Sequence, residues 1–88
     1  MYRNEDECLA AGLDPKEVEK IARGLSRYGK MAKDLGISVF GGSGSGSLRF
    51  NQMNGKPELI VADLVGGIFD GGDGATDYDS DGLRRGEM

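Results

Sequence analysis

The pattern of apolar and polar positions changes its period near Gly36. Before this glycine, apolar residues recur three and four positions apart, which is the spacing of an amphipathic helix. Asp14 suits the N-cap and Pro15 suits the first helical position, so we expect a helix over 15–34 that stops at Gly36. One stripe of this helix is expected to face a core, and it consists of Val18, Ile21, Leu25, Tyr28, Ala32 and Leu35.

A shorter helix is predicted before the long one. Asn4 is a fair N-cap, and Glu7 stands three residues later, where its carboxylate can return a hydrogen bond to the cap amide. Gly12 is expected to end this helix, with Leu13 making the apolar contact that often follows a glycine stop. Two helices joined by a short turn are typical of a helix-turn-helix DNA-binding motif. The start of the second helix, however, has no Asn, Gln or paired Arg to contact base edges, so sequence-specific DNA binding is not expected.

After Gly36, apolar and polar residues alternate, which predicts strands over 37–40, 48–53 and 58–64. Asn54-Gly55 is a favoured pair for a two-residue hairpin turn. That turn would pair Phe50 with Leu59 and Leu48 with Val61. We therefore expect an α+β fold, in which two N-terminal helices are followed by a three-stranded antiparallel sheet and an acidic, glycine-rich C-terminal tail.

Both faces of this predicted sheet carry apolar residues. The helix stripe would cover the face with Leu48 and Phe50, while Ile60, Ala62 and Leu64 would lie on the opposite face. Because this opposite face is also apolar, we expect a second element to cover it. That element is either residues 68–69, folding back onto the sheet, or another copy of the chain in a homodimer. Residues 41–47, rich in Gly and Ser, are expected to form a mobile hairpin loop between the first two strands. They match neither of the phosphate-binding glycine motifs, and contact of their amides with a phosphate or a partner is the alternative.

Composition excludes several classes of function. The 88 residues contain one cysteine and no histidine, so neither a thiol dyad nor the usual general base near neutral pH is present. We expect a protein that is not an enzyme and needs no cofactor. No signal peptide and no membrane-spanning run are recognisable, so a cytoplasmic location without membrane contact is expected, in the host cell if the protein is phage-encoded.

Charge divides the chain into two parts. Residues 1–56 carry nine Lys or Arg against seven Asp or Glu, whereas residues 57–88 carry two against eight, which together give the net charge of −4. We expect one compact domain over 1–66 and a partly ordered, acidic tail over 67–88. On the long helix, five basic side chains share the side opposite the apolar stripe: Lys16, Lys20, Arg23, Arg27 and Lys30.

The tail supports three interpretations. The segment 77–82 matches the start of an EF-hand loop, with Asp77, Asp79 and Asp81 as candidate calcium ligands, but position 12 is Met88 instead of Glu. Alternatively, the same carboxylates in an extended chain would project to one side about 6.6 Å apart and imitate nucleic-acid phosphates. The third interpretation is a solubilising tail.

The acidic run, together with the small size of the chain, resembles phage-encoded inhibitors of host defence of the anti-CRISPR and anti-restriction types. This resemblance implies a non-catalytic inhibitor that occupies a basic surface of a nucleic-acid-handling partner. The basic helix face suggests nucleic-acid binding as an alternative, and the EF-hand match suggests a calcium module. The residues expected to contact the basic surface are Asp70, Asp73, Asp77, Asp79 and Asp81.

Overall fold

The computed structural model describes residues 3–42, 44–67, 69, 71 and 75–86. It confirms an α+β fold, in which two helices precede a three-stranded antiparallel sheet, and it adds a small two-stranded sheet. Neither described helix is long and apolar enough to cross a membrane. The elements are α1 (Glu5–Ala10), α2 (Pro15–Asp34), β1 (Ile37–Gly42), β2 (Ser45–Phe50), β3 (Leu59–Leu64), β4 (Thr76–Tyr78) and β5 (Arg84–Gly86).

Two compact units divide the chain. Met1–Tyr28 and Gly74–Met88 form one unit, and Gly29–Asp73 form the other. The first unit therefore contains α1 and the hairpin of β4 and β5, while the second contains the three-stranded sheet. The hairpin lies within the segment 67–88, for which the composition predicts an acidic tail.

The bounds of α2 follow from its capping residues and confirm the prediction. The Lys16 amide donates a 2.9 Å hydrogen bond to Oδ1 of Asp14, which satisfies one of the amides left free at a helix start. Pro15 occupies the first position, where no intrahelical amide bond is needed. At the other end, Gly36 has a φ of 77°, in the left-handed region that favours glycine, and its amide donates to the Lys33 carbonyl at 3.0 Å.

The end of α1 is also as predicted. The Leu13 amide donates to the Cys8 carbonyl at 2.9 Å, and the Gly12 amide donates to the Leu9 carbonyl at 3.1 Å. This pair of bonds is a Schellman motif, which requires the φ of 74° found at Gly12. Cys8, which precedes this stop, is one of the few buried side chains.

The three long strands form a sheet in the order β1-β2-β3, with antiparallel neighbours. The predicted pairing of Phe50 with Leu59 is confirmed. Phe50 also packs its ring against the start of the sheet, because a Cβ built on Gly36 would lie 3.2 Å from Cε1 of that ring. At the end next to its connecting loop, the β2–β3 hairpin therefore has the register that the apolar pattern indicates.

The two-residue turn predicted between β2 and β3 is wrong, since residues 51–58 form a longer connection. Oδ1 of Asn51 accepts the Met53 amide at 2.8 Å, and Oδ1 of Asn54 accepts the Lys56 amide at 3.0 Å. Each asparagine therefore closes a local Asx turn with its own side chain. These turns satisfy amides that a tight hairpin would have used for strand pairing.

A β-bulge shifts the register between Leu48 and Arg49. Leu48 pairs with Ala62, so the predicted pairing of Leu48 with Val61 is wrong, and Val61 is the extra residue of β3. The bulge has a physical reason. Strict alternation would place Asp63 on the apolar face, whereas the extra residue moves this carboxylate to the opposite, polar face.

The bulge also corrects the predicted division of the two faces, because Ala62 and Leu64 join Leu48 instead of opposing it. On the polar face, Nε of Arg49 donates to Oγ of Ser47 at 3.0 Å, and the guanidinium lies 3.9 Å from the centroid of the Phe40 ring. The apolar face consists of Ile37, Val39, Leu48, Phe50, Leu59, Ala62 and Leu64.

The Gly/Ser segment 41–47 is mainly strand, so the long loop predicted there is wrong; only residues 43 and 44 separate β1 from β2. Gly46 is buried, and a Cβ built on it would lie 3.0 Å from Cγ of Phe69. The Phe69 carbonyl also accepts the Gly44 amide at 3.0 Å. The predicted fold-back is confirmed for Phe69, although it covers the face that carries Leu48; Ile68 lies outside the described residues.

Within the first compact unit the α2 stripe is not covered, whereas Ala32, a stripe residue in the second unit, is buried. Ile21 is 62% exposed, Leu25 is 67% exposed and Tyr28 is 61% exposed. Among the described residues, only Cys8 and Ala32 are buried apolar side chains. The reason is the scarcity of cover within the first unit, where α1 has 6 residues and each hairpin strand has 3. Elements this short cannot bury the stripe of a 20-residue helix.

Candidate partner-binding hairpin

Residues 76–86 form an ordered element that we call the acidic hairpin. Strands β4 and β5 pair antiparallel, with Asp77 opposite Arg85 and Tyr78 opposite Arg84. The Asp79 amide donates to the Leu83 carbonyl at 2.9 Å, and a further bond joins the Gly82 amide to the Asp79 carbonyl. Gly82 has a φ of 80°, which allows the chain to reverse. Residues 79–82 are therefore a tight turn.

The aspartate side chains of the hairpin bind its own backbone. Oδ1 of Asp79 accepts the Ser80 amide at 2.7 Å, and Oδ1 of Asp81 accepts the Leu83 amide at 3.0 Å. Oδ1 of Asp77 likewise accepts the amide of the residue that follows it, at 2.8 Å. Such short-range bonds are the reason that aspartate favours turns.

Arg85 joins the two turn carboxylates. Its Nε lies 3.0 Å from Oδ2 of Asp79, and its Nη2 binds Oδ2 of Asp81. All three side chains are about half exposed. The Leu83 amide and then the Arg85 guanidinium hold the pKa of the Asp81 carboxyl below its usual range, because both donate hydrogen bonds to its ionised form. The same contact with Asp81 raises the pKa of Arg85.

The hairpin is fixed to α1 by a backbone contact. The Arg84 amide donates a 2.9 Å hydrogen bond to Oε2 of Glu7. The predicted capping box at the start of α1 is accordingly not formed, because Glu7 is engaged with β5 and the Asn4 side chain makes no capping bond. A second contact, between Nε of Arg84 and Oγ1 of Thr76 at 3.4 Å, holds the two strands together.

Tyr78 is the apolar feature of the hairpin. Its side chain is 69% exposed, although both flanking residues are used in local hydrogen bonds. Tyrosine in such a position offers a large contact area with few rotatable bonds. Leu83, on the other side of the turn, is only partly exposed. The hairpin therefore presents an aromatic ring beside carboxylates on a backbone that is already ordered.

The structure brings together three of the five predicted acidic residues. Asp77, Asp79 and Asp81 lie on the hairpin, whereas Asp70 and Asp73 lie outside the described residues. The extended row expected for phosphate mimicry is wrong, because the chain reverses after Asp79 and Arg85 compensates part of the charge. Residues 76–86 contain three Asp and two Arg, so the net charge of the hairpin is −1.

Glu7, Arg84 and Arg85 are also parts of this site, although the pattern of carboxylates in the sequence does not single them out. The two arginines could have been found from the sequence, because Asp-Ser-Asp-Gly is typical of a tight turn and the arginines follow it after one residue. Such a turn brings them back beside the aspartates that precede it. The calcium alternative gains no support from the geometry. Among the described residues, no three acidic or cysteine side chains are close enough to hold a metal ion.

The basic face of α2 is present as predicted and lies on the surface. Its five side chains are all exposed, over a length of about 21 Å at 1.5 Å per residue. Arg23 forms an ion pair with Glu19 at 3.7 Å, and the Arg27 guanidinium lies 5.1 Å from the centroid of the Tyr28 ring. Asp79 and Asp81 do not need this face for compensation, because both bind Arg85.

No protein-family model matches the chain, and no curated protein or solved structure is significantly similar to it. The functional proposal therefore depends on the geometry of the hairpin and of the helix faces.

Proposed function

We propose that this protein is a non-catalytic binding protein whose acidic hairpin occupies a basic surface of a nucleic-acid-handling partner, in the manner of a phage-type inhibitor acting in the cytoplasm. The observation that carries the proposal is the exposure of Tyr78, at 69%, on a hairpin with an internally bonded turn. A solubilising tail needs neither an aromatic ring nor a fixed backbone.

A hairpin that is ordered before it meets its partner binds more tightly than a disordered segment with the same contacts. A disordered segment must lose conformational freedom when it binds, which weakens binding, whereas a hairpin held by Glu7 and Arg85 has already lost it. Tyr78 then supplies the contact area, since tyrosine is one of the residues enriched among those that dominate binding energy.

The carboxylates select the charge of the partner. Asp79 and Asp81 share one guanidinium, so this group of three side chains keeps one negative charge, and Asp77 adds a second. Arg84 offsets one of these charges, which leaves the hairpin a net charge of −1. These charges favour approach to a basic patch and disfavour an acidic one. A basic patch is typical of proteins that bind nucleic acids, which supports the proposed class of partner.

Capture of a partner by immobilised protein tests the proposal. Tyr78→Ala should weaken capture about 30-fold if the ring contributes about 2 kcal/mol. Asp77→Asn should lower the sensitivity of capture to salt, because it removes one charge. Ser80→Ala, in the same turn, is the matched control and should bind normally. Unchanged capture by the Tyr78 and Asp77 variants, with the hairpin intact by NMR, would refute the proposal.

A second candidate function is the binding of nucleic acid by the basic face, and it is favoured by the exposure of all five basic side chains of that face. Fluorescence anisotropy with single-stranded and duplex oligonucleotides at low salt measures this directly. Charge reversal at Lys20, Arg23 and Arg27 should abolish binding, while Lys33→Glu, on another side of α2, should preserve most of it. Absence of binding by the unaltered protein would exclude this function.

A further inference from the structure

The connection between β2 and β3 carries an exposed Asn-Gly pair, Asn54-Gly55. We propose that this pair is a site of spontaneous covalent modification, at which the Asn54 side chain cyclises onto the backbone and is then hydrolysed to aspartate or isoaspartate. The contacts that carry the proposal lie within residues 51–58, which belong to the second compact unit. The proposal is therefore independent of the function proposed for the acidic hairpin.

The reaction needs a side-chain amide followed by a backbone amide that can attack it. The Gly55 nitrogen loses its proton to hydroxide and forms a bond to Cγ of Asn54. The bond from Cγ to Nδ2 then breaks, and ammonia leaves after taking a proton from water, so that a cyclic succinimide remains. A water molecule opens this ring on either side, which gives aspartate or isoaspartate as a carboxylate and leaves an ammonium ion. Water is the only co-reactant, and asparagine is accordingly one of the thermolabile residues of proteins.

The fold of the loop holds the Asn54 side chain beside the nitrogen that attacks it. Oδ1 of Asn54 accepts the Lys56 amide at 3.0 Å, and this bond closes an Asx turn. Cγ of Asn54 and the Gly55 nitrogen both belong to the ring that the bond closes, so the turn keeps the two reacting atoms close together. Nδ2 of Asn54 also donates to Oε1 of Gln52 at 3.3 Å, which orients the other end of the amide. Such positioning lowers the entropic part of the barrier.

The Lys56 amide also stabilises the charge that develops during the attack. When the Gly55 nitrogen adds to Cγ, the negative charge moves to Oδ1 of Asn54, which is the atom that already accepts this amide. A backbone amide directed at a developing oxyanion is a device that enzymes use to lower a barrier. The loop therefore supplies both the nucleophile and the oxyanion donor from its own backbone.

Gly55 leaves the attacking nitrogen accessible. A Cβ built on this glycine would meet nothing within 4 Å, and its φ of 77° lies in the region that favours glycine. Among the described residues, no group accepts a hydrogen bond from the Gly55 amide. Residues 51–58 are all exposed, so both hydroxide and water can reach the pair.

Asn51 gives a matched comparison within the same loop. Its Oδ1 accepts the Met53 amide at 2.8 Å, so it closes the same kind of turn, and it is also exposed. The residue that follows it is Gln52 instead of glycine. Because the Gln52 side chain hinders the approach of its own nitrogen to Cγ of Asn51, Asn54 should react much faster than Asn51.

Incubation of the full chain at neutral pH and physiological temperature tests the proposal. Ion-exchange chromatography separates the product, since conversion adds a negative charge to the net −4, and mass spectrometry after digestion locates it. Asn54→Asp marks the elution of the aspartate product, and Asn54→Gln should yield no such product from this position. We expect Asn54 of the folded chain to convert at least as fast as in the same chain unfolded in urea, and at least about tenfold faster than Asn51.

A pair of variants separates the contribution of the turn from that of the Asn-Gly sequence. Lys56→Pro keeps the sequence pair but removes the amide that binds Oδ1, so it should slow conversion about tenfold. Lys56→Ala keeps the amide and should convert at the unaltered rate. An Asn54 that stays intact in the folded chain, while the chain in urea converts it, would overturn the proposal. Equal conversion of Asn51 and Asn54, or equal rates for the two Lys56 variants, would overturn it as well.

Discussion

Substitution of Gly46 by alanine should strain the packing of Phe69 on β2. The added Cβ would lie 3.0 Å from Cγ of Phe69 and 3.1 Å from Cδ1 of Leu64, closer than an ordinary contact. The ring cannot withdraw freely, because the Phe69 carbonyl is held by the Gly44 amide at 3.0 Å. The contact therefore has to be relieved by a shift of the ring, of the leucine or of the strand.

The expected cost can be estimated from these contacts. Overpacking of this kind costs about 1–3 kcal/mol, while replacing glycine within a strand regains about 0.5–1 kcal/mol, so Gly46→Ala should destabilise the fold by about 1 kcal/mol. Phe69→Ala should cost about 2 kcal/mol, roughly half the value for a fully buried ring. In the double variant the ring is gone, and the strain of the new Cβ should largely disappear.

The double-mutant cycle is measured by urea denaturation at one fixed protein concentration, followed by far-UV circular dichroism. We expect a coupling of about 2 kcal/mol between Gly46→Ala and Phe69→Ala, because the strain of the new Cβ is lost with the ring while the gain from replacing glycine stays. Additive effects within about 0.5 kcal/mol would show that Phe69 does not cover Gly46.

Three further predictions concern the helix cap and the acidic hairpin. Asp14→Ala should destabilise α2 by about 1 kcal/mol in thermal or urea unfolding, because it removes the acceptor of the Lys16 amide. Gly82→Ala should weaken the hairpin by about 1 kcal/mol through backbone strain at φ 80°, and Gly82→Asn should do so less, as read from amide exchange of the turn. The lowered pKa of Asp81 means that its stabilising contribution is complete above its ordinary value of 3.8 and is lost as the pH falls through the lower folded value. The Leu83 amide resonance should therefore stay constant from pH 8 to 5 and shift only in acid.

The helices could be predicted because their signals are local. Asp14 and Pro15 at the start and Gly36 at the end act within one turn of the backbone, so the bounds of α2 follow from neighbouring residues alone. Whether the stripe of this helix is covered depends on the sizes of elements elsewhere in the chain. The apolar period predicts which side is apolar, but it does not predict what lies against that side.

For the strands, too, the local pattern predicts only part of the structure. The pairing of Phe50 with Leu59 follows from alternation, but the bulge at Val61 depends on which face must receive Asp63. Likewise, Asn54-Gly55 predicts a tight turn, while the structure uses the asparagine side chain for a local turn within a longer connection. Side chains that bond their own backbone compete with the hairpin, and composition alone does not decide the outcome.

The charge that the acidic segment presents depends on contacts within the folded hairpin. Counting carboxylates gives a strongly negative tail, but the count ignores Arg85, which pairs with two of them. Only the folded hairpin shows that the charge is largely compensated and that Tyr78 remains on the surface. A partner-binding role stays a prediction for all five aspartates, and Asp70 and Asp73 lie outside the described residues.

The central claim is that the acidic hairpin is ordered before it binds a partner, and amide hydrogen exchange tests this claim most directly. The Asp79 amide binds the Leu83 carbonyl at 2.9 Å, and the Arg84 amide binds Glu7 at the same distance. We predict that both amides exchange at least about tenfold more slowly than in an unstructured peptide, and that Glu7→Ala removes the protection of Arg84. Exchange of both amides at the unstructured rate would mean that residues 76–86 are a disordered tail, and it would contradict a preformed binding hairpin.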